Sequence, residues 1–233
     1  MKKVAISQSN YIPWKGYFDI INSVDTFIIY DEVQYTKNDW RNRNQINSLQ
    51  GLQWLTIPVK VHNLGQKIDE TEVSFSKWNK KHWNTLVANY GRAQNFKDLK
   101  DQFEELYLGH ETKLLSEINK RFIVEINLLF GIKTEIVDSR ELDLKGDRNE
   151  RLVEAVGKVN GEVYLSGPSA QNYLDESMFN KSDILVEWKS YNEYPEYPSI
   201  HNNFKHGVSI LDVIFNNKEL NQSLICERGT LDT

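Results

Sequence analysis

The sequence predicts an α/β protein with a Rossmann-like, mostly parallel sheet flanked by helices. Residues 26–30 form a near-continuous apolar run of strand length, which is typical of a strand covered on both faces. A short helical segment at 14–23 separates this run from an earlier buried strand at 2–7, so the three form a right-handed βαβ unit. The strand pattern returns after position 132, once a helical middle has ended.

The remaining elements follow in chain order. Residues 40–47 predict a polar loop or short strand, 52–59 a strand that Pro58 ends or places at an edge, and 68–75 a further strand. Apolar residues at three- and four-residue spacing then predict three consecutive helices, at 77–90, 95–108 and 111–130. The last part predicts strands at 133–137, 161–166 and 184–188 and helices at 147–159, 170–173 and 209–215. Asp147 and Glu150 stand at the two positions of a capping box.

This order of elements predicts four units. They are the N-terminal half of the α/β sheet domain at 1–76, a helical insertion or lid at 77–131, the C-terminal half of the sheet domain at 132–218 and a flexible tail at 219–233.

Composition limits the classes of function. A net charge of −5 gives no electrostatic reason to expect duplex nucleic acid as a partner. One cysteine, Cys226, excludes an intrachain disulfide and a multi-cysteine metal site. No apolar run approaches about 18 residues, and polar residues directly follow the short apolar segment at 4–6. We therefore expect a cytoplasmic protein without a membrane span.

The loop after the first strand is the first candidate site, because open α/β sheets bind ligands at the carboxyl ends of their strands. It offers polar groups around a turn that Pro13 fixes and Gly16 frees, from Gln8, Asn10, Tyr11, Lys15 and Tyr17. A phosphate or nucleotide there would meet backbone N–H groups, the helix dipole and the Lys15 ammonium. The alternative is an aromatic cap over the end of the sheet.

A second candidate is the run from Arg41 to Asn44. In an extended chain Arg41 and Arg43 share one face, and Asn42 and Asn44 share the other. Two guanidinium groups on one face suit phosphates or carboxylates, which they can bind through paired hydrogen bonds. The alternative is a solvated loop with surface ion pairs.

Other polar residues stand at strand ends or on a helix. Asp31 ends the second strand, where a carboxylate either orients a ligand or caps a turn. Ser166 and Gly167 follow a later strand and precede a helix, a geometry that resembles the first site, so we expect the pair to face one ligand from two strands. His82 is a candidate for a general base or a phosphate contact, with a structural role as the alternative for a lone histidine, and His201 is a second candidate for a general base.

Several known sites are disfavoured. His201 and His206 have no acidic partner at a recognised metal spacing, so we expect no metal site. The absence of a Walker A sequence and of Gly-x-Gly-x-x-Gly disfavours a P-loop NTPase and an ordinary dinucleotide-binding protein. An Asp-x-Asp motif is also absent, which disfavours a metal-dependent glycosyltransferase of that type.

Together these residues resemble the WbqC-like family of bacterial proteins. The match rests on residues 8–18, 31–35, 41–44, 54–59, 81–83, 164–167, His201 and 209–212. Many family members carry His where Gln8 stands here, and Gln8 can only donate or accept a hydrogen bond. The resemblance implies a setting in O-antigen, lipopolysaccharide or other surface-polysaccharide biosynthesis, where some amino sugars are decorated with an amino acid.

A more distant resemblance is to nucleotidyltransferase-like α/β enzymes such as pantothenate synthetase, which join an acid to an amine through an acyl-adenylate. The first loop is similar to their His-x-Gly-His loop, although Trp14 and Tyr17 replace both histidines. This likeness is one of fold, which is weak support for function.

From these resemblances we expect an aminoacyl transferase or an ATP-dependent amide ligase. It would transfer an amino acid, with glycine a plausible donor, to the amino group of a nucleotide-linked amino sugar. Activation needs ATP (with Mg²⁺) as co-substrate or a preformed thioester or other acyl donor, with no tightly bound cofactor. The alternatives are a non-catalytic sugar-nucleotide-binding protein and a metal-independent glycosyltransferase. A homodimer is an open alternative to a monomer.

The resemblance and the loops together give the candidate site. The candidate catalytic residues, as acceptors of the amine proton, are His82 and His201. The candidate substrate- and nucleotide-binding residues are Gln8, Asn10, Tyr11, Trp14, Lys15, Tyr17, Asp31, Gln34, Arg41, Asn42, Arg43, Ser166 and Gly167. Among them the cationic side chains would hold phosphates, and the aromatic side chains would stack on a base or sugar.

Overall fold

Strands and helices alternate through most of the chain in the computed structural model, which describes residues 1–109, 111–201 and 204–227. The strands are β1 (Lys3–Ser7), β2 (Thr26–Ile29), β3 (Arg43–Ser48), β4 (Gly51–Thr56), β5 (Val59–Lys60), β6 (Glu72–Val73), β7 (Glu135–Asp138), β8 (Val163–Ser166) and β9 (Leu185–Trp188). The helices are α1 (Lys15–Asn22), α2 (Trp78–Tyr90), α3 (Phe96–Leu108), α4 (Leu115–Leu129), α5 (Arg148–Lys158), α6 (Glu176–Asn180) and α7 (Ile210–Asn216).

A five-stranded parallel sheet forms the centre of the fold, in the order β7-β2-β1-β8-β9. From β1 the chain adds β2 and then β7 on one side of the sheet, and it then adds β8 and β9 on the other side of β1. The strand order therefore reverses between β1 and β8, which is the switch point where such sheets form a crevice. This topology confirms the predicted α/β, Rossmann-like class.

Both faces of the central sheet are covered. Successive residues of a strand face opposite sides of the sheet, and the residues on both sides are apolar. Ala5, Phe27 and Leu165 belong to a large core shared with α1, α2, α3, α4 and α7. The neighbouring residues Val4 and Ile28 face the opposite way, into a smaller core with α5 and α6. Strands buried on both faces are typical of parallel sheets.

The three consecutive helices of the predicted insertion, α2, α3 and α4, lie in the larger core. Phe103 of α3 packs edge-on against Phe215 of α7, with ring centroids 5.0 Å apart. Phe122 of α4 and Trp83 of α2 are also buried in this core, which extends without a break to the sheet residues Ala5 and Phe27. The helical segment therefore shares its hydrophobic core with the sheet.

Most predicted elements match, and the differences have local causes. The strand predicted at 68–75 is reduced to the two residues of β6, which pair antiparallel with β5 beyond Pro58. The helix predicted at 170–173 is a 3₁₀ turn, Pro168–Asn172, and α6 was not predicted because five residues carry too short a pattern. The Asp147–Glu150 capping box is present at the start of α5.

The predicted flexible tail differs from the structure over the part that is described. Ile225 and Cys226 are buried, and a 3₁₀ turn, Gln222–Leu224, precedes them. This stretch packs against α1, where the Asn22 amide lies 3.4 Å from the Cys226 sulfur. Residues 228–233 of the predicted tail lie outside the described residues. Within the described ranges, no helix has the length and apolar character needed to cross a bilayer.

Candidate functional site

A cleft of about 850 Å³ opens at the carboxyl ends of β1, β2 and β8, beside the start of α5. Its walls include Ser7, Gln8, Tyr30, Gln34, Gly146, Asp147, Arg148, Arg151, Tyr164, Ser166, Gly167 and Tyr173. Gln8 comes from the end of β1, and Ser166 and Gly167 come from the end of β8, so the two flank the switch point of the sheet. Four of the predicted binding residues, Gln8, Gln34, Ser166 and Gly167, therefore lie together here.

Two arginines from the first turn of α5 give the cleft its positive charge. The Arg148 guanidinium carbon lies 3.5 Å from the centroid of the Tyr173 ring, and that of Arg151 lies 5.2 Å from the centroid of Tyr30. Arg151 also approaches Glu32, at 3.4 Å. Among the described residues, no carboxylate lies within ion-pair distance of Arg148. Arg148 is therefore an uncompensated cation on the cleft wall.

The backbone at the start of α5 contributes little to anion binding. The Asp147 carboxylate accepts hydrogen bonds from the backbone N–H groups of Asn149 and Glu150, at 2.8 and 3.0 Å. Glu150 in turn accepts from the Asp147 N–H, at 2.7 Å. The capping box thus occupies the donors that would otherwise meet an anion. Any anion in the cleft depends on the arginine side chains.

Sequence reasoning missed the residues of α5 and the tyrosines around them. The signal was present, because Arg148 and Arg151 are three residues apart and follow a predicted cap, so they share one face of the helix. The sequence did not indicate where Tyr173 lies. The 3₁₀ turn after β8 brings its ring against the Arg148 guanidinium.

Arg41 lies next to the cleft and binds the loop after β1. Its guanidinium donates to Oε1 of Gln8 at 2.8 Å and to Oδ1 of Asn10. Asp39 lies 3.7 Å away, and 16% of the Arg41 side chain is exposed. Gln8 lines the cleft, so Arg41 stands directly behind its wall.

Arg43 does not join Arg41, contrary to the predicted shared face. Arg41 precedes β3, whereas Arg43 is its first residue and stacks at 4.3 Å on the ring of Trp54 in β4. The two asparagines are buried and structural. Asn42 donates to the carbonyl of Ile57 at 2.8 Å, and Asn44 donates to the carbonyls of Tyr11 and Ile12 at 3.2 and 2.9 Å.

Asn44 holds an unusual turn. Ile12 has φ 39°, in the left-handed region that β-branched residues rarely enter, and Pro13 follows it. The side chain of Ile12 is completely buried, and the Asn44 amide nitrogen donates to the carbonyls of Tyr11 and Ile12, in the peptide groups that flank the strained residue. Strain of this kind persists only where the surroundings fix the backbone. The loop after β1 is therefore rigidly placed.

The Asp31 carboxylate anchors the loop after β1 through hydrogen bonds. It accepts from the backbone N–H of Ser9 at 2.8 Å, from the Ser9 hydroxyl at 2.6 Å and from the Ser116 hydroxyl at 2.5 Å. Burial raises the pKa of Asp31, against the lowering effect of these hydrogen bonds. Asp31 thus positions Ser9, the neighbour of Gln8, and does not line the cleft.

Lys15 points away from the cleft. Its ammonium donates to the carbonyl of Pro195 at 2.8 Å and lies 5.2 and 5.3 Å from the ring centroids of Tyr194 and Tyr197. Burial lowers the pKa of Lys15 to about 8. Because the segment around Pro195 engages the Lys15 ammonium, this geometry argues against the predicted phosphate contact by Lys15.

The aromatic residues of the first loop also pack into the protein. Tyr17 donates its hydroxyl to the carbonyl of Gln8 at 2.9 Å, and burial raises its pKa. The Trp14 ring packs against Tyr191 and Tyr194, with centroids 5.5 and 5.6 Å apart. These contacts are intramolecular, so the stacking of Tyr17 and Trp14 on a base or sugar stays a prediction.

His82 has partners for both ring nitrogens. Nε2 lies 3.1 Å from the carbonyl of Thr56 and Nδ1 lies 2.8 Å from the Tyr11 hydroxyl. A carbonyl can only accept, so Nε2 carries the proton and Nδ1 accepts from Tyr11. Burial lowers the pKa of His82 to about 4. Because the ring is buried and both of its nitrogens are engaged, this geometry indicates a structural role for His82 and argues against the predicted role of general base.

His201 lies in a different pocket, of about 540 Å³, beside the β3–β4 hairpin. It is buried edge-on against Tyr90, with ring centroids 5.3 Å apart, and burial lowers its pKa. Neither ring nitrogen has a hydrogen-bond partner among the described residues. The two predicted catalytic histidines are thus brought neither to each other nor to the cleft.

Comparison with known proteins assigns the chain to a family. The profile of the WbqC-like protein family matches residues 8–223. The chain belongs to the WbqC-like protein family. This WbqC-like protein is 46% identical over 217 residues to the uncharacterized protein Rv1507c of Mycobacterium tuberculosis, covering 93% of this chain and 94% of the relative. No solved structure gives a significant match. Membership of the family suggests a role in polysaccharide-related biosynthesis.

Proposed function

We propose that this protein binds a nucleotide-linked amino sugar in the cleft and transfers an amino acid to its amino group. The observation that carries the proposal is Arg148, a cation stacked on Tyr173 without a carboxylate partner in the described chain, at the switch point of the sheet. The family setting in polysaccharide-related biosynthesis supports a sugar nucleotide as the ligand.

The cleft suits a nucleoside diphosphate in size and chemistry. Its volume of about 850 Å³ is within the usual range of small-molecule sites. The guanidinium groups of Arg148 and Arg151 match phosphate oxygens in charge and in paired hydrogen-bond geometry. Tyr173, which is 44% exposed on the same walls, provides an aromatic surface beside Arg148 for a base or ribose.

The proposed reaction forms an amide and needs an activated donor. In the ATP-dependent form, the carboxylate of an amino acid such as glycine attacks the α-phosphorus of ATP, and pyrophosphate leaves. The amine of the sugar then attacks the acyl-adenylate carbonyl, the new C–N bond replaces the bond to AMP, and the amine gives up one proton. A preformed thioester would replace ATP in the first step, with the thiol leaving in the second.

Arg41 is the residue that we propose to stabilise charge in this step. Its guanidinium bonds Gln8, which lines the cleft, and the neutral amide of Asn10, while the Asp39 carboxylate lies 3.7 Å away. A preorganised cation at the edge of the site lowers the energy of the oxyanion that forms on the carbonyl. Fixed positioning of donor and amine supplies the rest of the acceleration.

A non-catalytic sugar-nucleotide-binding protein is the second candidate. It is favoured by the placement of His82, whose two nitrogens are engaged, and of His201, which lies in another pocket. Such a protein would use the same cleft and need no acceptor for the amine proton. In the enzyme, that proton passes to solvent at the open cleft.

The decisive experiment incubates the protein with UDP-glucosamine or an amino-dideoxyhexose linked to dTDP, together with glycine and ATP or a glycyl thioester. Mass spectrometry follows the amide product. We expect product with the wild type and with Arg92→Gln, which changes an exposed arginine in the turn between α2 and α3 that does not line the cleft. Arg148→Gln should weaken nucleotide binding by about tenfold to a hundredfold, the value of one or two charge-assisted hydrogen bonds.

The outcomes separate the two candidates. Nucleotide binding that Arg148→Gln weakens, without product under any donor, assigns the binding role. Equal nucleotide affinity in Arg148→Gln and Arg92→Gln removes the cleft from the function.

A further inference from the structure

A second pocket, of about 280 Å³, has one neighbour in common with the cleft, since Arg41 bonds a lining residue of each. We call it the Trp40 pocket, and it is lined by Asn10, Pro13, Trp14, Trp40, Asn44 and Gly207. Gln8 on the cleft wall and Asn10 on the wall of the Trp40 pocket are both bonded by the same guanidinium. Arg41 therefore stands at the boundary of the two spaces.

The lining of the Trp40 pocket has a distinct chemistry. It combines two indole rings with two carboxamides, and none of its lining side chains carries a formal charge. A phosphate or a zwitterionic amino acid would leave water for a site without a paired charge, which is costly. A sugar ring presents apolar C–H groups on its faces and hydroxyls at its edge. Indole faces and amide groups match these two kinds of surface.

One of the two amides is available for a ligand. Asn44 uses its nitrogen on the carbonyls of Tyr11 and Ile12, and its oxygen accepts from the Gln45 N–H at 2.8 Å. Asn10 has its oxygen bonded by Arg41, while its amide nitrogen has no partner among the described residues. The Asn10 nitrogen is therefore a donor held in place and unused.

Trp40 offers the aromatic surface. It is 44% exposed, and its outer neighbour Trp54 supports it at a centroid distance of 5.6 Å. The backbone carbonyl of Trp40 accepts from the N–H of Tyr11 at 3.0 Å, so the main chain at Trp40 is tied to the rigid loop after β1. Trp40 and Asn10 are thus attached to the same rigid part of the backbone.

We infer that the Trp40 pocket is the subsite for the sugar ring of the substrate, an inference that rests on the proposed function. The ring stacks on Trp40, a hydroxyl accepts from the Asn10 amide, and the nucleotide extends into the cleft. This arrangement brings the substituents of the sugar to Arg41, the residue proposed to stabilise the acyl-transfer step.

Isothermal titration calorimetry tests the subsite with paired probes, UDP against UDP-glucosamine and dTDP against dTDP-glucose. Methyl glucosaminide alone is titrated by the same calorimetry, because Trp40→Ala would remove a fluorescent reporter together with the contact. We use Trp40→Ala and Asn10→Asp; the second keeps an oxygen for Arg41 and removes the amide donor. Phe75→Ala changes a similarly exposed aromatic residue outside the Trp40 pocket and is the control. Thermal melting establishes that each variant is folded.

We expect the sugar-linked probes to bind more tightly than the nucleotides alone in the wild type and in Phe75→Ala. Trp40→Ala and Asn10→Asp should each reduce this advantage by about three- to tenfold, with unchanged affinity for UDP and dTDP. The inference is overturned if nucleotides bind but both variants keep the full sugar advantage. If no nucleotide binds, the proposed function fails; methyl glucosaminide binding that is lost in Trp40→Ala would then retain the sugar subsite alone.

Discussion

The hydroxyl of Tyr11 donates to Nδ1 of His82 across 2.8 Å and joins the loop after β1 to helix α2. The other ring nitrogen of His82 bonds the last residue of β4, through the Thr56 carbonyl. A single buried imidazole thus links the sheet loop, the β3–β4 hairpin and the helical segment. The Tyr11 hydroxyl has a second neighbour, the Tyr107 hydroxyl at 3.1 Å, and burial keeps the His82 ring neutral because it lowers the pKa of His82 to about 4.

The first prediction concerns the stability that this link provides. His82→Ala should lower the free energy of unfolding by about 3 kcal/mol, because it leaves a cavity and removes the acceptor of a buried hydroxyl. Urea unfolding measures the change. His62→Ala, at an exposed position, is the control and should stay within about 0.5 kcal/mol of the wild type. Equal stability of the two variants would contradict the structural role of His82.

The second prediction follows from the low pKa of the same ring. Burial lowers the pKa of His82 from 6.5 to about 4, so between these values the unfolded chain binds a proton that the folded protein does not. Stability must therefore fall as the pH falls from 6.5 towards 4, by about 3 kcal/mol over the window. His82→Gln removes this titration. Urea unfolding at several pH values should show a shallower acid dependence for His82→Gln than for the wild type; parallel curves would refute the assignment.

Much of the fold could be predicted from the sequence, because the elements that form it carry local sequence patterns. Apolar runs at β2 and β8 and the capping box at Asp147 depend on neighbours within a few residues. The pairing of β1 with β8 has no local signal, because it joins residues more than 150 positions apart. Its parallel register, with Val4 opposite Tyr164, places Gln8 near Ser166.

The candidate site was harder to predict because the direction of a polar side chain depends on distant segments. Nothing near Lys15 in the sequence shows that Pro195 and Tyr197 cover it. Arg148, in contrast, has no ion pair, because no carboxylate of the described chain lies near its guanidinium. Sequence patterns indicate which residues are neighbours along the chain, but they do not indicate that a charged side chain lacks a partner in space.

The third prediction concerns Asp31, which accepts three hydrogen bonds from Ser9 and Ser116. Asp31→Ala leaves these donors buried without an acceptor and should cost about 2–3 kcal/mol of unfolding free energy. Asp31→Asn keeps an oxygen for the Ser9 N–H and should cost less. Asp101→Ala, exposed on α3, is the control for loss of a carboxylate. Urea unfolding ranks the variants, and a stability of Asp31→Ala equal to that of Asp101→Ala would contradict the positioning role.

The fourth prediction separates Lys15 from the nucleotide cleft. The ammonium is bonded to the Pro195 carbonyl and enclosed by aromatic rings, so Lys15→Met should leave the dissociation constant for UDP or dTDP within about twofold of the wild type. Arg148→Gln provides the contrast, with its expected tenfold or greater loss. Calorimetric titration of both variants makes the comparison. A loss in Lys15→Met as large as that in Arg148→Gln would place the ammonium on a phosphate.

A pH series on the same variant tests the burial of the ammonium independently of any ligand. The pKa of Lys15 is lowered from 10.5 to about 8, so the unfolded chain binds the extra proton between these values. The contribution of Lys15 to stability therefore rises as the pH rises from 8 towards 10.5. Subtracting the unfolding free energies of Lys15→Met from those of the wild type isolates this term, because the buried tyrosines titrate in both proteins. A difference that stays constant with pH would show that the ammonium is solvated, and would return Lys15 to the list of residues able to meet a ligand.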